Sequence, residues 1–348
     1  MEINKNNNTF KNIEELIIKE NLGNIIKSIN PVTGGLSHRM YKVVTDKGVY
    51  AVKELNAGVM KRPDAYDNFL FAEKVTDIVK QNGIDAIGAI KLQNDIMKQI
   101  NNQYFMVFNW LNGKMLKAEE ITNMHCEVIG KILAEIHNID FSEIEDDNRK
   151  KFDIENFEWE KYIDLAEKQN KKYYKLLKDN LEFLYMINIK SNEVLNYANS
   201  KLVISHTDLD RKNVMWQEAK TFIIDWEASG YINPTIELIQ VAWYWSGGDI
   251  ENINYEKFKT VVDAYQKYSN IKIDNNVENL IYADIYSGLG WLNYNLKRSL
   301  CIENQYDKDE IELLEDMILV AVNDALKKAD ADKEKKLGKY GQGLAGLM

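Results

Sequence analysis

Residues 202–230 read LVISHTDLDRKNVMWQEAKTFIIDWEASG, two apolar runs that each lead into a polar stretch. Two buried strands presenting a loop are the natural reading, and loops held on a rigid scaffold are where chemistry tends to sit. Asp208 and Asn213 stand five positions apart, and Asp225 closes the second apolar run, TFII. Two carboxylates and an amide at short, fixed spacing are what phosphoryl transfer from a metal-bound nucleotide requires. One Asp accepts a hydroxyl proton, and an Asp with an Asn holds Mg²⁺. Magnesium is a hard cation that takes oxygen ligands, so Asp and Asn suit it where His or Cys would not. Asp and Asn are also ordinary turn formers, and the stretch taken alone is equally well an acid-rich turn without a metal.

Three upstream elements, in the order this chemistry needs them, weigh against the plain turn. Lys53 lies late in the strand-like run YAVKEL, where a lysine can hold nucleotide phosphates. Glu73 lies on the one helix that interrupts the strand-rich region and is placed to pair with that lysine. The turn TGGLSHRMY carries Gly34, Gly35 and Ser37, whose backbone N–H groups can approach phosphates. Each has a bland alternative: a solvated strand lysine, a surface glutamate, a glycine turn. Their joint order carries the argument.

Further outward, the runs KSINPVT, MYKVVTD, VYAVKEL, GAIKL and YFMVFNW between residues 27 and 110 read as short strands. A helix over 64–81 opens after Pro63 and Asp64 and spaces Phe69, Ala72, Val75, Ile78 and Val79 at nearly helical intervals. Beyond Trp110 the texture turns to long amphipathic segments at 119–137, 157–199, 235–245, 255–268, 276–300 and 308–327. The expected fold class is α+β, an antiparallel sheet with one main helix followed by a mostly helical part. The expected division is an N-terminal nucleotide-binding lobe at 1–108, a linker at 109–113, a helical catalytic and acceptor-binding lobe at 114–330 and a mobile tail at 331–348.

HTDLDRKNVMW followed by IIDWEASGYINPTIEL resembles the aminoglycoside phosphotransferase and choline kinase group of protein-kinase-like small-molecule kinases, a resemblance that spans residues 26–245. It implies a two-lobed fold with an ATP or GTP cleft and transfer of the γ-phosphoryl group to a hydroxyl. By position it makes Asp208 the proton acceptor, Asn213 and Asp225 the Mg²⁺ ligands, and Lys53 with Glu73 the holders of the phosphates. It makes VFNWLNGKML the inter-lobe linker, where Phe108, Asn109 and Trp110 meet the purine. IGKILAEIHNI becomes a central helix in which His137 is a packed structural residue, and His206 becomes a loop anchor rather than the base. The chain departs from the pattern at Thr207, where protein kinases carry an Arg that reads a phosphorylated loop, so such regulation is not expected. His38 stands where related sequences often carry Asn, and Glu237 where they usually carry Asp.

The acceptor is less sharply written. Asp210, Glu227 and Asp249, with Glu155, Glu158 and Glu160, suggest an acidic lining for a cationic acceptor such as an aminoglycoside-like amino sugar. Tyr244, within WYWSGGD, offers a ring that can stack on a sugar or clasp an ammonium group. The same residues also suit the plain surface of an acidic protein. Choline, another sugar, a homoserine-like amino alcohol or a macrolide remain alternative acceptors. A nucleotide-binding scaffold without turnover is the alternative outside catalysis.

Composition sets the outer bounds. The 348 residues carry 44 Lys and Arg against 54 Asp and Glu, a formal charge of −10, which argues against a general nucleic-acid binder. With 45% hydrophobic and 11% aromatic residues, the chain has ample material for packed cores. Cys126 and Cys301 form no C-x-x-C pair, so no disulfide framework or zinc cage is expected. Without a secretory start or a long apolar run, the expectation is a cytoplasmic monomer or dimer without a membrane partner, antibiotic resistance being one role open to it.

Overall fold

The computed structural model describes residues 2–32, 38–146, 149, 156–218, 220–247, 253–302, 311, 314–316, 318–319 and 322. Gly34, Gly35, Ser37, Asp249 and the tail at 331–348 lie outside the described residues, as does Glu155. Contacts group the chain into two compact units. The first holds Met1–Glu120, Ile139–Glu145 and Ile204–Gly230, and the second Ile121–Asn138, Asp146–Val203 and Tyr231–Met348. The grouping differs from one cut at 109–113, because backbone bonds tie 204–230 to the earlier chain. Ile223 N–H donates to Asp85 O, Ile87 N–H donates to Ile223 O, and Lys114 and Trp216 exchange a reciprocal pair at 2.9 Å.

The first unit contains an antiparallel sheet of β1 (Asn30–Val32), β2 (Arg39–Val44), β3 (Val49–Glu54), β4 (Lys98–Ile100) and β5 (Gln103–Asn109), in spatial order β1-β2-β3-β5-β4. The two-residue period sends Tyr50 and Val52 to one face with Phe105 and Val107, and Lys53 with Met106 and Phe108 to the other. A helix absent from the sequence reading, α1 (Glu2–Lys19), covers the first face with Ile13, Leu16 and Ile17, each fully buried. Burying each of these contributes about 1.5–3 kcal/mol. The expected helix, α2 (Ala65–Gln81), covers the second face with Phe69 beside Leu55 and Met106. The expected strand at GAIKL does not form; its backbone pairs with other backbone at the Leu92–Asp95 bridge and in a bond from Ile90 N–H to Val107 O.

The second unit is helical: α3 (Asn123–His137), α4 (Trp159–Lys168), α5 (Leu181–Ala198), α6 (Pro234–Trp245), α7 (Tyr255–Tyr268) and α8 (Val277–Ser299). A Cβ on Gly130 of α3 would stand 2.3 Å from the Val261 carbonyl oxygen of α7, so these backbones meet as only glycine allows. His137, Glu237 and Tyr265 join three helices in a buried chain. His137 Nδ1 is 2.8 Å from the Tyr265 hydroxyl and Nε2 is 2.7 Å from Glu237 Oε2. The Glu237 carboxylate accepts from Nε2–H, and burial pushes the Tyr265 hydroxyl at the other nitrogen up to about 12. His137 is thus the packed residue the sequence suggested.

Replacing His137 by Ala would take the Nε2–H donor from a buried carboxylate and is expected to cost about 3 kcal/mol of unfolding free energy. Tyr265→Phe should cost about 1 kcal/mol. Urea unfolding followed by circular dichroism checks both.

Candidate active site

Everything placed at this site belongs to the first unit. The strands β6 (Val214–Gln217) and β7 (Lys220–Ile223) form a hairpin in which Val214 faces Ile223. Asn213, one residue before β6, and Asp225, two after β7, therefore come to the same end, and Ile224 N–H donates to Asn213 O at 2.9 Å. The twelve-residue separation in sequence collapses through this local pairing. Asp225 sits at φ 61°, ψ 57°, a left-handed conformation that Asp tolerates better than most residues.

The path from Asp208 to Asn213 is a tight turn. Asp210 Oδ1 accepts from Arg211 N–H at 2.6 Å, and Asn213 N–H donates to Asp210 O. Burial raises the Asp210 carboxyl above its ordinary range. Asn213 Nδ2 donates to both Asp208 O, at 2.8 Å, and Asp208 Oδ2, at 2.9 Å. Lys212 Nζ adds a contact to Asp208 Oδ2 at 3.1 Å. One oxygen of the Asp208 carboxylate is thus fixed by the amide and the ammonium, and Oδ1 has no recorded donor among the described residues.

His206 is fully buried and occupied at both ring nitrogens: Nδ1 accepts from Asp208 N–H at 3.2 Å and Nε2 donates to Ile224 O at 3.0 Å. Its ring lies 4.6 Å from that of Trp226. Those bonds make it an anchor of the loop. Thr207 has φ 60°, a strained state for a β-branched residue, and its hydroxyl donates to Ala228 O at 2.6 Å.

Lys53 departs from expectation. Its Nζ is 2.7 Å from Asp225 Oδ1 and also contacts Glu227 Oε2, whereas Glu73 Oε2 accepts from Ala89 N–H at 2.8 Å. The expected Lys53–Glu73 pair is therefore not formed. Asp225 and the turn at Trp226–Ala228 that follows it present two carboxylates to the ammonium, and Glu73 is held by the backbone N–H of Ala89. Burial works to lower the Lys53 pKa, and Glu227 and Asp225 outweigh it to raise it. Burial likewise opposes ionisation of both carboxylates; Lys53 nevertheless holds Asp225 below its ordinary range, while Glu227 stays above.

His38 completes the cluster. Only 8% exposed, it accepts from Asn56 N–H at Nδ1, 2.9 Å away, and places Nε2 3.4 Å from Glu227 Oε2. Burial and the nearby Lys53 push it down to about 3. The unfolded chain takes up a proton at this residue below about pH 6.5 and the folded chain does not, so stability falls as pH drops through 6.5 toward 3. This contribution reaches about 1.4 kcal/mol per pH unit. His38→Asn is expected to show a smaller loss of thermal stability between pH 7 and pH 4.5 than the wild type, as scanning calorimetry would register.

The residues at the hairpin end fit a magnesium ion. Asn213 spends its amide nitrogen on Asp208, and neither Asn213 Oδ1 nor Asp225 Oδ2 has a hydrogen-bond partner among the described residues. These are hard oxygen donors, and Mg²⁺ characteristically takes one or two carboxylates and completes its shell with phosphate and water. No group of three or more His, Cys, Asp or Glu able to hold a metal occurs among the described residues.

The acceptor set divides between the two units, with Asp249 and Glu155 outside the described residues. Asp210 is engaged in its turn, Glu227 belongs with Lys53 and His38, and Tyr244 lies half-buried on α6 in the other unit. Glu158 pairs with Lys161, and Glu160 accepts from the Tyr185 hydroxyl. At the linker, Trp110 N–H is spent on Val49 O, and the Phe108 side chain packs beside Met106 and Phe69. Lys42 Nζ lies 4.2 Å from the centre of the Trp110 ring. The sequence reading noted His38 only as a departure and placed Glu227 with the acceptor. The D-x-E spacing of Asp225 and Glu227 was the available signal, since a short turn can aim both carboxylates at one cation.

Comparison with known proteins bears on the family and the fold. The family model described as the phosphotransferase enzyme family matches residues 28–268. The fold is that of spectinomycin phosphotransferase bound to ADP and spectinomycin (TM-score 0.65, 15% identity, covering 92% of this chain and 98% of that one). An ethanolamine kinase from Plasmodium vivax is also similar (TM-score 0.56, 17% identity, 84% and 81% covered). These likenesses bear out the α+β, kinase-like fold.

A second model, the YbaB/EbfC DNA-binding family, matches residues 297–344. A nucleoid-associated protein of Ligilactobacillus salivarius is 40% identical over 45 residues, 13% of this chain. The chain spans about 43% of the length of that relative. The sequence reading foresaw no such likeness. Within this stretch Leu314, Ile318 and Val322 are buried, the latter two in a core with Trp159, Ile187 and Leu292, and Glu315 pairs with Lys171 at 3.2 Å. No helix of the described residues is long and apolar enough to cross a membrane. On the match over residues 28–268, and with Asp208, Asn213, Asp225 and Lys53 arranged as described, the chain belongs to the phosphotransferase enzyme family.

Proposed function

We propose that the protein is a Mg²⁺-dependent kinase that transfers the γ-phosphoryl group of ATP or GTP to a hydroxyl of a small molecule. The observation that carries this is the bonding around Asp208. Its Oδ2 is fixed by Asn213 Nδ2 at 2.9 Å and by Lys212, which leaves Oδ1 to meet an incoming hydroxyl. Asp208 accepts the hydroxyl proton as the oxygen attacks, and Asn213 keeps the carboxylate from rotating away. Lys53, with a raised pKa and two carboxylates around it, is a fixed positive charge for the nucleotide phosphates. Asn213 and Asp225 would hold Mg²⁺, which neutralises charge on the phosphates when bound.

The acceptor to test first is an aminoglycoside-like amino sugar, with choline and ethanolamine next. The similar proteins named above are a spectinomycin phosphotransferase and an ethanolamine kinase. The acidic lining that first suggested a cationic acceptor is mostly engaged elsewhere, so the amino sugar stands on this likeness. The test is mass spectrometry of an acceptor panel incubated with enzyme, Mg²⁺ and either ATP or GTP. A single phosphate added to one acceptor, and lost in Asp208→Ala, supports the proposal. Nucleotide binding with no transfer to any hydroxyl compound would point instead to a scaffold without turnover.

A further inference from the structure

We propose that His38 is a positioning residue for phosphoryl transfer, fixing the Glu227 carboxylate through its Nε2–H. The proposal rests on the phosphotransfer reading and adds to it a residue outside the expected catalytic set. Three contacts hold the imidazole. Asn56 N–H donates to Nδ1 at 2.9 Å, the Phe69 ring lies edge-on at 5.9 Å, and Nε2 stands 3.4 Å from Glu227 Oε2.

The first contact settles the tautomer, because a nitrogen that accepts a backbone N–H cannot carry the ring proton. The proton is then on Nε2, which stands 3.4 Å from the oxygen that Lys53 also holds. Asn56 is itself fixed, its side chain capping the turn at Ala57–Met60.

Glu227 needs such a partner. A glutamate has three side-chain torsions and Lys53 has four, so an ion pair between them defines a distance more than a direction. A ring packed on Phe69 and tied to backbone supplies the direction. It does so as a neutral donor, without adding a cation that would compete with Lys53 for the phosphates. Groups that orient the residues at a metal or phosphate site typically change affinity by about 10–100-fold when removed.

Two substitutions separate this role from a purely structural one. In His38→Asn the amide oxygen can still accept from Asn56 N–H, but the side chain is too short to reach Glu227. In His38→Gln the amide reaches the position of Nε2 and can donate to the carboxylate.

Isothermal titration with a non-hydrolysable ATP analogue and Mg²⁺ should show binding weakened by about tenfold in His38→Asn and within about threefold of wild type in His38→Gln. In a Glu227→Gln background, His38→Asn should add nothing, since the pair acts as one unit. Nitrogen-15 spectra of the histidine side chains, which do not depend on a variant folding, should show His38 as the Nε2–H tautomer in wild type.

Equal weakening in both His38 variants, additive effects of His38→Asn and Glu227→Gln, or an Nδ1–H tautomer would each overturn the proposal. Failure of the wild type to bind the Mg²⁺ nucleotide would overturn the phosphotransfer reading itself, and this proposal with it.

Discussion

Asp208→Ala leaves Mg²⁺-nucleotide affinity within about threefold of wild type and lowers turnover by roughly 10²–10⁴-fold, the range associated with a lost general base. Affinity persists because Asp208 has no bond to Lys53 or Asp225; its side-chain carboxylate is held by Asn213 and Lys212. Turnover falls because the hydroxyl loses its proton acceptor and Asn213 loses one of the two oxygens that hold its amide. Asp208→Asn refines the test, since it keeps the size of the side chain and removes only the charge. A comparable loss in both variants assigns the effect to the carboxylate. Retention of turnover in either variant, measured by single-turnover transfer to the best acceptor, would remove Asp208 from the role.

Much of this site was legible because it is local. Asp208, Asn213 and Asp225 are joined by a tight turn and a hairpin, and sequence spacing determines both. The α2 helix was legible for a similar reason, as its apolar residues recur at helical intervals after a Pro-Asp start. The α1 helix was not. Phe10, Ile13, Leu16 and Ile17 do follow a helical period, but they sit in a run of Asn and Lys whose polarity reads as a solvated start. Only the sheet they cover reveals their purpose. The partner of Lys53 was illegible for a different reason. Glu73 and Glu227 both suit a lysine by charge, and the choice depends on which loop carries its carboxylate to the ammonium. That is a tertiary fact: Ala89 N–H holds Glu73, while the turn after Asp225 delivers Glu227. The role of His38 was hidden in the same way, since nothing near it in sequence announces Asn56 or Glu227.

Removing Asp225 should have the opposite signature to removing Asp208. Asp225→Asn is expected to weaken Mg²⁺-nucleotide binding by on the order of a hundredfold, the upper end of what orienting groups contribute. The reason lies in what each oxygen does. Asp225 Oδ1 pairs with Lys53 at 2.7 Å, and Oδ2 has no hydrogen-bond partner among the described residues and is open to a metal. An amide there gives up the negative charge that balances Lys53 and the metal together. Asn is the better replacement, because the backbone is left-handed at φ 61° and Asn tolerates it as Asp does. Ala at that position adds roughly 1–2 kcal/mol of backbone strain, which would confound binding with folding. The decisive observable is the Mg²⁺ dependence. Nucleotide affinity of the wild type should rise steeply as Mg²⁺ is added, and that of Asp225→Asn should rise little, with thermal stability near that of wild type. If Asp225→Asn kept the Mg²⁺ response and only Asp225→Ala lost it, the residue would be serving the backbone of the turn, and the metal would have to be held by Asn213 with Glu227.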